Sequence, residues 1–379
     1  MSKPALPPGV LSLHVLPADH HDRDWDNIVV PREVKERLLN QALLTLLHGR
    51  KLSQLAGLPH GLIVLSGPPG TGKTTLGRGL AQVAAIALAA RGATTLLEIN
   101  PHALPSDMLG ESQRNITRLM QDTIPEIAAR RPHTVVLIDE VEAFAVRRAA
   151  ASFETNPVDV HRATDAILLG IDEIARSLPN VLFVTTTNFI EAVDDAFLSR
   201  ADLVMHFELP DVDTIGRILT HALTELAAQW PALMPLTERT DDIAGLAAMC
   251  EGWNGRKLRK LVLAALAQRT EVARDPAQLS FDDLRNAARK QGGVEWIGGP
   301  SPRARDLFPD SRAYKRYDDD AEHGHGQGHG HRHGDALDHD HAHDHGHGES
   351  RGQDRAHDHS RDAQYASPHV AKRTPPPAD

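Results

Sequence analysis

The stretch that most constrains this chain is Gly61 to Thr75, GLIVLSGPPGTGKTT, where an apolar run breaks into a glycine-rich turn that ends in a lysine. Gly67-Pro68-Pro69-Gly70-Thr71-Gly72-Lys73-Thr74 fits the spacing G-x-x-x-x-G-K-[ST], and Thr75 follows it. Residues 62–65 before the turn and 76–88 after it have the strand and helix character that the motif needs. In such a turn, successive backbone N–H groups curl around phosphate oxygens, in a concavity that side chains would block. The following helix points its positive end at the same anion. Lys73 then reaches the β- and γ-phosphates, and the Thr74 hydroxyl takes a Mg²⁺ position. The plain alternative is a flexible linker, but the pattern arises by chance in only about one in a hundred chains of this length. Nucleotide binding, with Mg²⁺ at Thr74, is the reading.

A chain of 379 residues, 41% hydrophobic, buries one large core and a smaller one. Acidic residues outnumber basic ones by 51 to 41, for a formal charge of −10, and no basic stripe with aromatics appears, so nucleic acid is not expected as a partner. The single Cys250 excludes an internal disulfide framework, and no apolar run reaches the roughly 18 residues of a membrane span. The first residues, MSKPALPPGVLSLHVLP, lack the long apolar core of a secretory signal, so a cytoplasmic location is expected.

Residues 1–24 are proline-rich and then charged, and read as a flexible arm with too few apolar positions to fold alone. From Trp25 the chain runs through WDNIVV into a helix whose Val34, Leu38, Leu39, Leu43, Leu46 and Leu47 fall at helical spacing. Residues 28–30 either cover an adenine ring or serve as ordinary packing. Strand and helix signals then alternate: a strand at 94–99, a helix at 113–129, a strand at 134–138, a helix at 157–177, and strands at 181–187 and 203–209. With 62–65 they predict an α/β fold, a five-stranded, mainly parallel sheet sandwiched by helices over residues 25–210. After Pro210 the strands stop. Helices at 212–229, 241–250, 256–269 and 281–291 predict a small all-helical lid domain, 211–291. A linker, 292–317, leads to a tail, 318–379, that has almost no large apolar residue and is expected to be disordered. That tail holds 13 of the 23 histidines, in runs such as HGHGQGHGHRHG, which make it a soft ligand for Zn²⁺ or Ni²⁺ or else a solvated linker.

The strand at 134–138 ends in Asp139-Glu140. Packing alone gives no reason for an acid pair there. At the carboxyl end of a parallel strand beside the phosphate loop, Asp139 holds the metal shell and Glu140 orients and deprotonates the attacking water. A helix-capping role would suit a lone Asp better than the pair. The next strand delivers Asn188 to the same sheet edge, where it either contacts the γ-phosphate or the lytic water or merely ends the strand. Arg200, in FLSRAD, is placed to act as an arginine finger for a neighbouring subunit. Arg256, in GWNGRKLRKL, opens a helix of the lid. Either arginine also suits a surface salt bridge.

The order WDNIV, GPPGTGKTT, LIDEVEAF, VTTTN, AFLSRAD and NGRKLRK, over about residues 25–291, resembles AAA+ ATPases, and within them the pachytene-checkpoint branch that remodels HORMA-domain proteins. The resemblance implies a P-loop AAA+ fold and ATP hydrolysis in a hexameric ring with nucleotide between subunits. It assigns Lys73 and Thr74 to phosphate and magnesium, Asp139 and Glu140 to the acidic pair, Asn188 to sensor 1, Arg200 to the finger acting in trans and Arg256 to sensor 2. Members grip substrate with an aromatic pore loop, and the matching SDMLGES here offers Met108 and Leu109 instead. Eukaryotic members carry an adaptor-docking domain where this chain has about 24 residues. The short form is similar to bacterial members associated with cyclic-nucleotide anti-phage signalling. Two other functions fit the same motifs: an activase or metallochaperone for a metalloenzyme, and a nucleotide-dependent switch.

Overall fold

Runs that are apolar without alternation are buried on both faces, and four of them form the centre of one sheet. The computed structural model describes residues 6–54, 59–103, 111–143, 145 and 157–291. Met108, Leu109, the linker at 292–317 and the histidine-rich tail lie outside those residues. The strands are β1 (Val10–Leu16), β2 (Leu62–Ser66), β3 (Thr94–Ile99), β4 (His133–Ile138), β5 (Val181–Thr187) and β6 (Leu203–His206). Every residue of β2, β3, β4 and β5 is buried. The sheet order is β1-β3-β4-β5-β2-β6. β3 to β6 and β2 run parallel, and β1 pairs antiparallel with β3, Leu16 opposite Thr94.

The sheet therefore has six strands where five are expected, and the sixth comes from the segment read as a flexible arm. The reason is an inverted pattern. Along β1 the residues that turn inward are Ser12, His14 and Leu16, whereas Leu11, Leu13 and Val15 face outward, Leu11 at 56% exposure. A strand whose inner face is partly polar carries little of the signal that marks a half-buried strand in sequence.

The helices are α1 (Arg32–Leu52), α2 (Lys73–Leu88), α3 (Glu111–Arg118), α4 (Ile124–Ala128), α5 (Pro157–Ser177), α6 (Asp195–Leu198), α7 (Val212–Gln229), α8 (Met234–Thr237), α9 (Thr240–Met249), α10 (Gly255–Leu266), α11 (Thr270–Arg274) and α12 (Phe281–Gln291). On one face of the sheet, Leu97, Val136 and Phe183 pack with Ile116, Ile124, Ile167 and Ile171. On the other, Leu96, Val135 and Val184 meet Leu38 and Leu46 of α1 and Leu76 and Leu80 of α2. The helix expected at 113–129 divides into α3 and α4 around a π-helical turn, Leu119–Thr123. Pro125 has no N–H to give the preceding turn and its ring crowds the carbonyl four residues back, and the widened turn relieves both. No helix among the described residues is long and apolar enough to cross a membrane.

The helices after Pro210 surround a core of their own, with Leu219, Leu223, Leu246, Leu258, Leu261, Phe281 and Leu284 at its centre. Ion pairs tie its last helix down: Arg285 pairs with Asp242 of α9, and Arg269 Nε donates to Asp283 Oδ1 at 2.7 Å and Nη2 to Oδ2 at 3.0 Å. The Arg269 guanidinium, aided by the Ser280 hydroxyl and N–H, pulls the Asp283 carboxyl from 3.8 down to about 2. A carboxyl with a depressed folded pKa stabilises above its unfolded value and loses that contribution as it is protonated. That contribution to the stability of the helical unit is thus expected to fade as pH falls below about 4 and to be gone only below about 2. Asp283→Asn should flatten that part of the stability-pH curve, measured by circular dichroism melts across this range.

Candidate functional site

Three glycines of the phosphate loop have left-handed backbones: Gly67 at φ 136°, Gly70 at 82° and Gly72 at 93°. Only glycine adopts such angles without strain, and here there is no room for a side chain either. A Cβ on Gly72 would lie 2.5 Å from Ile28 Cδ1, and one on Gly70 would lie 2.7 Å from the Asn254 amide. Gly72 leads directly into α2, whose N-terminus no side chain caps. A helix start left without a side-chain cap beside a glycine-rich loop is suited to an anion.

Lys73 is 6% exposed, and its three N–H donors are spent on Gly67 O at 2.7 Å, Pro68 O at 3.0 Å and Asn188 Oδ1 at 3.0 Å. Burial pushes this ammonium below its ordinary pKa, while Asp139 and Glu142 pull it back up. A phosphate entering the loop competes for the same donors with a full negative charge, which carbonyl oxygens lack.

β5 lies between β2 and β4, so the acid pair is one strand removed from the loop, and β5 bridges the gap. The Thr74 hydroxyl donates to Asp139 Oδ1 at 2.6 Å. The Thr186 hydroxyl donates to that oxygen as well, at 2.5 Å, and accepts the Glu140 N–H at 3.1 Å. Thr74 and Asp139 thus present hard oxygen donors side by side, the donor set Mg²⁺ takes. Glu140 has φ 57°, the one positive value outside glycine among the described residues. Such a backbone is held against its own preference, and it occurs where the surroundings dictate a side chain's position. The Glu140 carboxylate accepts from Asn188 Nδ2 at 3.2 Å and lies 2.8 Å from His102 Nε2. The Asn188 side chain therefore touches both Lys73 and Glu140, and the Asn188 backbone N–H donates to Glu142 Oε1 at 2.9 Å.

Beside the loop opens a cavity of about 960 Å³ lined by Ile28, Val29, Val30, Gly72, Phe207 and Arg256, among others. The segment at 28–30 thus forms part of the wall of the cavity beside the phosphate loop. The helical unit after Pro210 meets the loop through the start of α10. Asn254 accepts the Lys257 N–H as helix cap and donates Nδ2 to Pro69 O at 2.9 Å, and the Arg256 N–H donates to Gly70 O at 3.1 Å. The Arg259 guanidinium spans from Glu225 Oε2, at 2.6 Å, to Asn27 O, at 2.8 Å.

The structure brings Gly67 to Thr75, Asp139, Glu140, Asn188 and Arg256 to one end of the sheet. Arg200 is not among them. Its guanidinium grips Asp172 of α5 with Nε and Nη2, at 2.8 and 2.9 Å, and donates Nη1 to Ala196 O. Both partners' pKa values move apart as in a strong pair, Asp172 down and Arg200 up, each chiefly through this hydrogen bonding. Sequence reasoning missed Thr186, His102, Glu142 and Asn254. Thr186 lies in the TTT run just before Asn188 and Glu142 in the DEVE run, so both were within reach of the motifs. Asn254 opens the NGRKLRK run, where an asparagine before a helix signals a cap, but nothing local signals its reach to the loop, nor His102.

The family model of ATPases associated with various cellular activities matches residues 63–209. Over 300 residues the chain is 43% identical to CD-NTase-associated protein 6 of Pseudomonas aeruginosa, covering 79% of this chain and 97% of that protein. It is 35% identical over 273 residues to the pachytene checkpoint protein 2 homologue of Homo sapiens, covering 67% of this chain and 63% of the human protein. It thus spans nearly the whole of the bacterial relative and less than two thirds of the eukaryotic one. Among solved structures, Caenorhabditis elegans PCH-2 superposes with a TM-score of 0.60 and 27% identity, over 75% of this chain and 76% of that one. A chain of the Escherichia coli MS115-1 HORMA:CdnC:Trip13 complex shares the fold, with a TM-score of 0.60 and 20% identity over 77% and 96%.

Proposed function

We propose a function from the premise that this chain belongs to the family of ATPases associated with various cellular activities, in the branch of the pachytene checkpoint protein 2 homologues and their bacterial counterpart. It is an ATP-hydrolysing, ring-forming motor of the cytoplasm that remodels or disassembles a HORMA-domain partner in bacterial cyclic-nucleotide anti-phage signalling. The near full-length likeness to a CD-NTase-associated protein supports the biological setting. The observation that carries the chemistry is the meeting of Lys73, Asn188, Glu140, Asp139 and Thr74 in one chain of contacts at the phosphate loop.

Each residue has a part. Lys73 and the loop N–H groups bind the phosphates of ATP, and residues 28–30 with Arg256 border the rest of the nucleotide. Thr74 and Asp139 would hold Mg²⁺, which when bound neutralises charge on the phosphate oxygens. Glu140 takes the proton of the attacking water at its carboxylate, and Asn188 keeps that carboxylate in register with the lysine. Arg200 is presented to the neighbouring subunit of a hexamer. The domains divide as residues 25–210 for the ATPase body, with β1 added to it, and 211–291 for the lid. The tail is a soft ligand for Zn²⁺ or Ni²⁺ that has no part in turnover.

Remodelling requires a grip on substrate, assigned by motif order to Met108 and Leu109. A pore side chain pulls on an extended segment through van der Waals contact, and truncation removes that contact without touching the nucleotide. Met108→Ala with Leu109→Ala is expected to keep basal ATP turnover and melting temperature and to lose release of a HORMA partner, with Met108→Tyr restoring it. Unimpaired release by a stable double variant would instead make the chain a nucleotide-dependent switch.

A further inference from the structure

The first strand and the turn after it gather three histidines that the nucleotide site does not use. His14 stands on the inner face of β1, and His20 and His21 lie in the single 3₁₀ turn Asp19–His21. One ligand atom from each lies within 4.8 Å of the others. The ring centroids of His20 and His21 are 4.1 Å apart, and that of His14 is 4.9 Å from the first and 5.2 Å from the second. We propose that His14, His20 and His21 form a binding site for one divalent transition-metal ion, Zn²⁺ by its donor set, which staples the edge strand to the turn that follows it.

His21 carries the argument. Its side chain is almost wholly buried, Nδ1 lies 2.8 Å from Asp24 Oδ2, and the buried Nε2 has no hydrogen-bond partner. A carboxylate on one ring nitrogen fixes the tautomer and directs the lone pair of the other nitrogen outward, the arrangement that surrounds zinc-bound histidines. Left alone, that nitrogen bears the desolvation cost of an unmade bond, and a metal ion removes it. Three imidazoles suit Zn²⁺, Ni²⁺ or Cu²⁺ and not Mg²⁺. Three ligands at about 2.0–2.1 Å leave a fourth tetrahedral position for water.

The turn is already held in place. Gln82 of α2 accepts the Ala18 N–H at 3.0 Å and donates to Ala18 O at 3.1 Å and Asp22 Oδ1 at 2.6 Å. Binding an ion then requires the three rings to turn so that nitrogens now within 4.8 Å of one another draw closer. The same segment continues through Trp25, packed against the core that holds Leu16, to Ile28 on the lining of the cavity beside the phosphate loop.

The histidine-rich tail would obscure a direct titration, so the test uses the full-length chain with its 13 tail histidines replaced by serine. Stripped of metal and titrated with Zn²⁺ by calorimetry, it is expected to bind one ion per chain and to melt at a higher temperature with Zn²⁺ and not with Mg²⁺. His14→Gln, His20→Gln and His21→Gln added singly should each weaken binding at least tenfold and abolish the rise in Tm. Asp24→Asn should weaken it about ten- to a hundredfold with the stoichiometry kept. His20 is exposed, so His20→Gln decides the matter even where a buried variant fails to fold. No Zn²⁺ bound by the tail-substituted chain, or undiminished binding in His20→Gln, overturns the site.

Discussion

Glu140→Gln is expected to bind ATP as the native chain does and to hydrolyse it about 10²- to 10⁴-fold more slowly, the contribution of a positioned general base. The substitution keeps the shape of the side chain and removes its basicity. Its amide can still meet Asn188, and the pair it forfeits with His102 joins two groups that are 45% and 62% exposed. A pair so open to solvent contributes about 0–1 kcal/mol at most, so the melting temperature should stay close to that of the native chain. With binding intact and turnover blocked, the variant should accumulate in an ATP-bound assembly, visible as a larger species on gel filtration with Mg-ATP. Hydrolysis at the native rate would remove Glu140 from the base position and direct attention to Glu142, which accepts the Asn188 N–H.

Arg200→Ala is the second large effect. A finger that stabilises charge on the transferring phosphoryl group contributes about 10³- to 10⁵-fold in turnover, so its loss should nearly silence the enzyme while leaving nucleotide affinity in place. Within one chain the arginine touches no residue of the loop. Asp172 instead holds it by both oxygens, with His60 on the same carboxylate at 3.2 Å. That bidentate grip fixes the guanidinium with part of it open to solvent, as a group presented to a neighbour requires. Mixing Lys73→Ala subunits with Arg200→Ala subunits should therefore restore some hydrolysis, at those boundaries where an intact loop faces an intact arginine. If mixed assemblies that have exchanged subunits recover nothing, and Arg200→Ala also melts at a lower temperature, the arginine is a structural partner of Asp172 and no finger.

Local chemistry made much of this protein readable from its sequence. The phosphate loop announces itself because glycines, a lysine and a threonine must sit at set spacings for backbone N–H groups to face an anion. The central strands announce themselves because burial on both faces leaves an unbroken apolar run, and Asp139, Glu140 and Asn188 could be placed at one sheet edge because parallel strands end there together. What the tertiary structure alone decided is how distant groups meet. Thr186 clasps Asp139 from 47 positions away, His102 meets Glu140 from 38, and Asn254 reaches the carbonyl of Pro69 from 185. No periodicity records such pairings, since each depends on which strands lie side by side and how closely the C-terminal helices approach the loop. β1 shows the same limit within a single element. With leucines outward and serine and histidine inward, its pattern reads as an arm, and only pairing with β3 makes it a strand and brings His14 to His20 and His21.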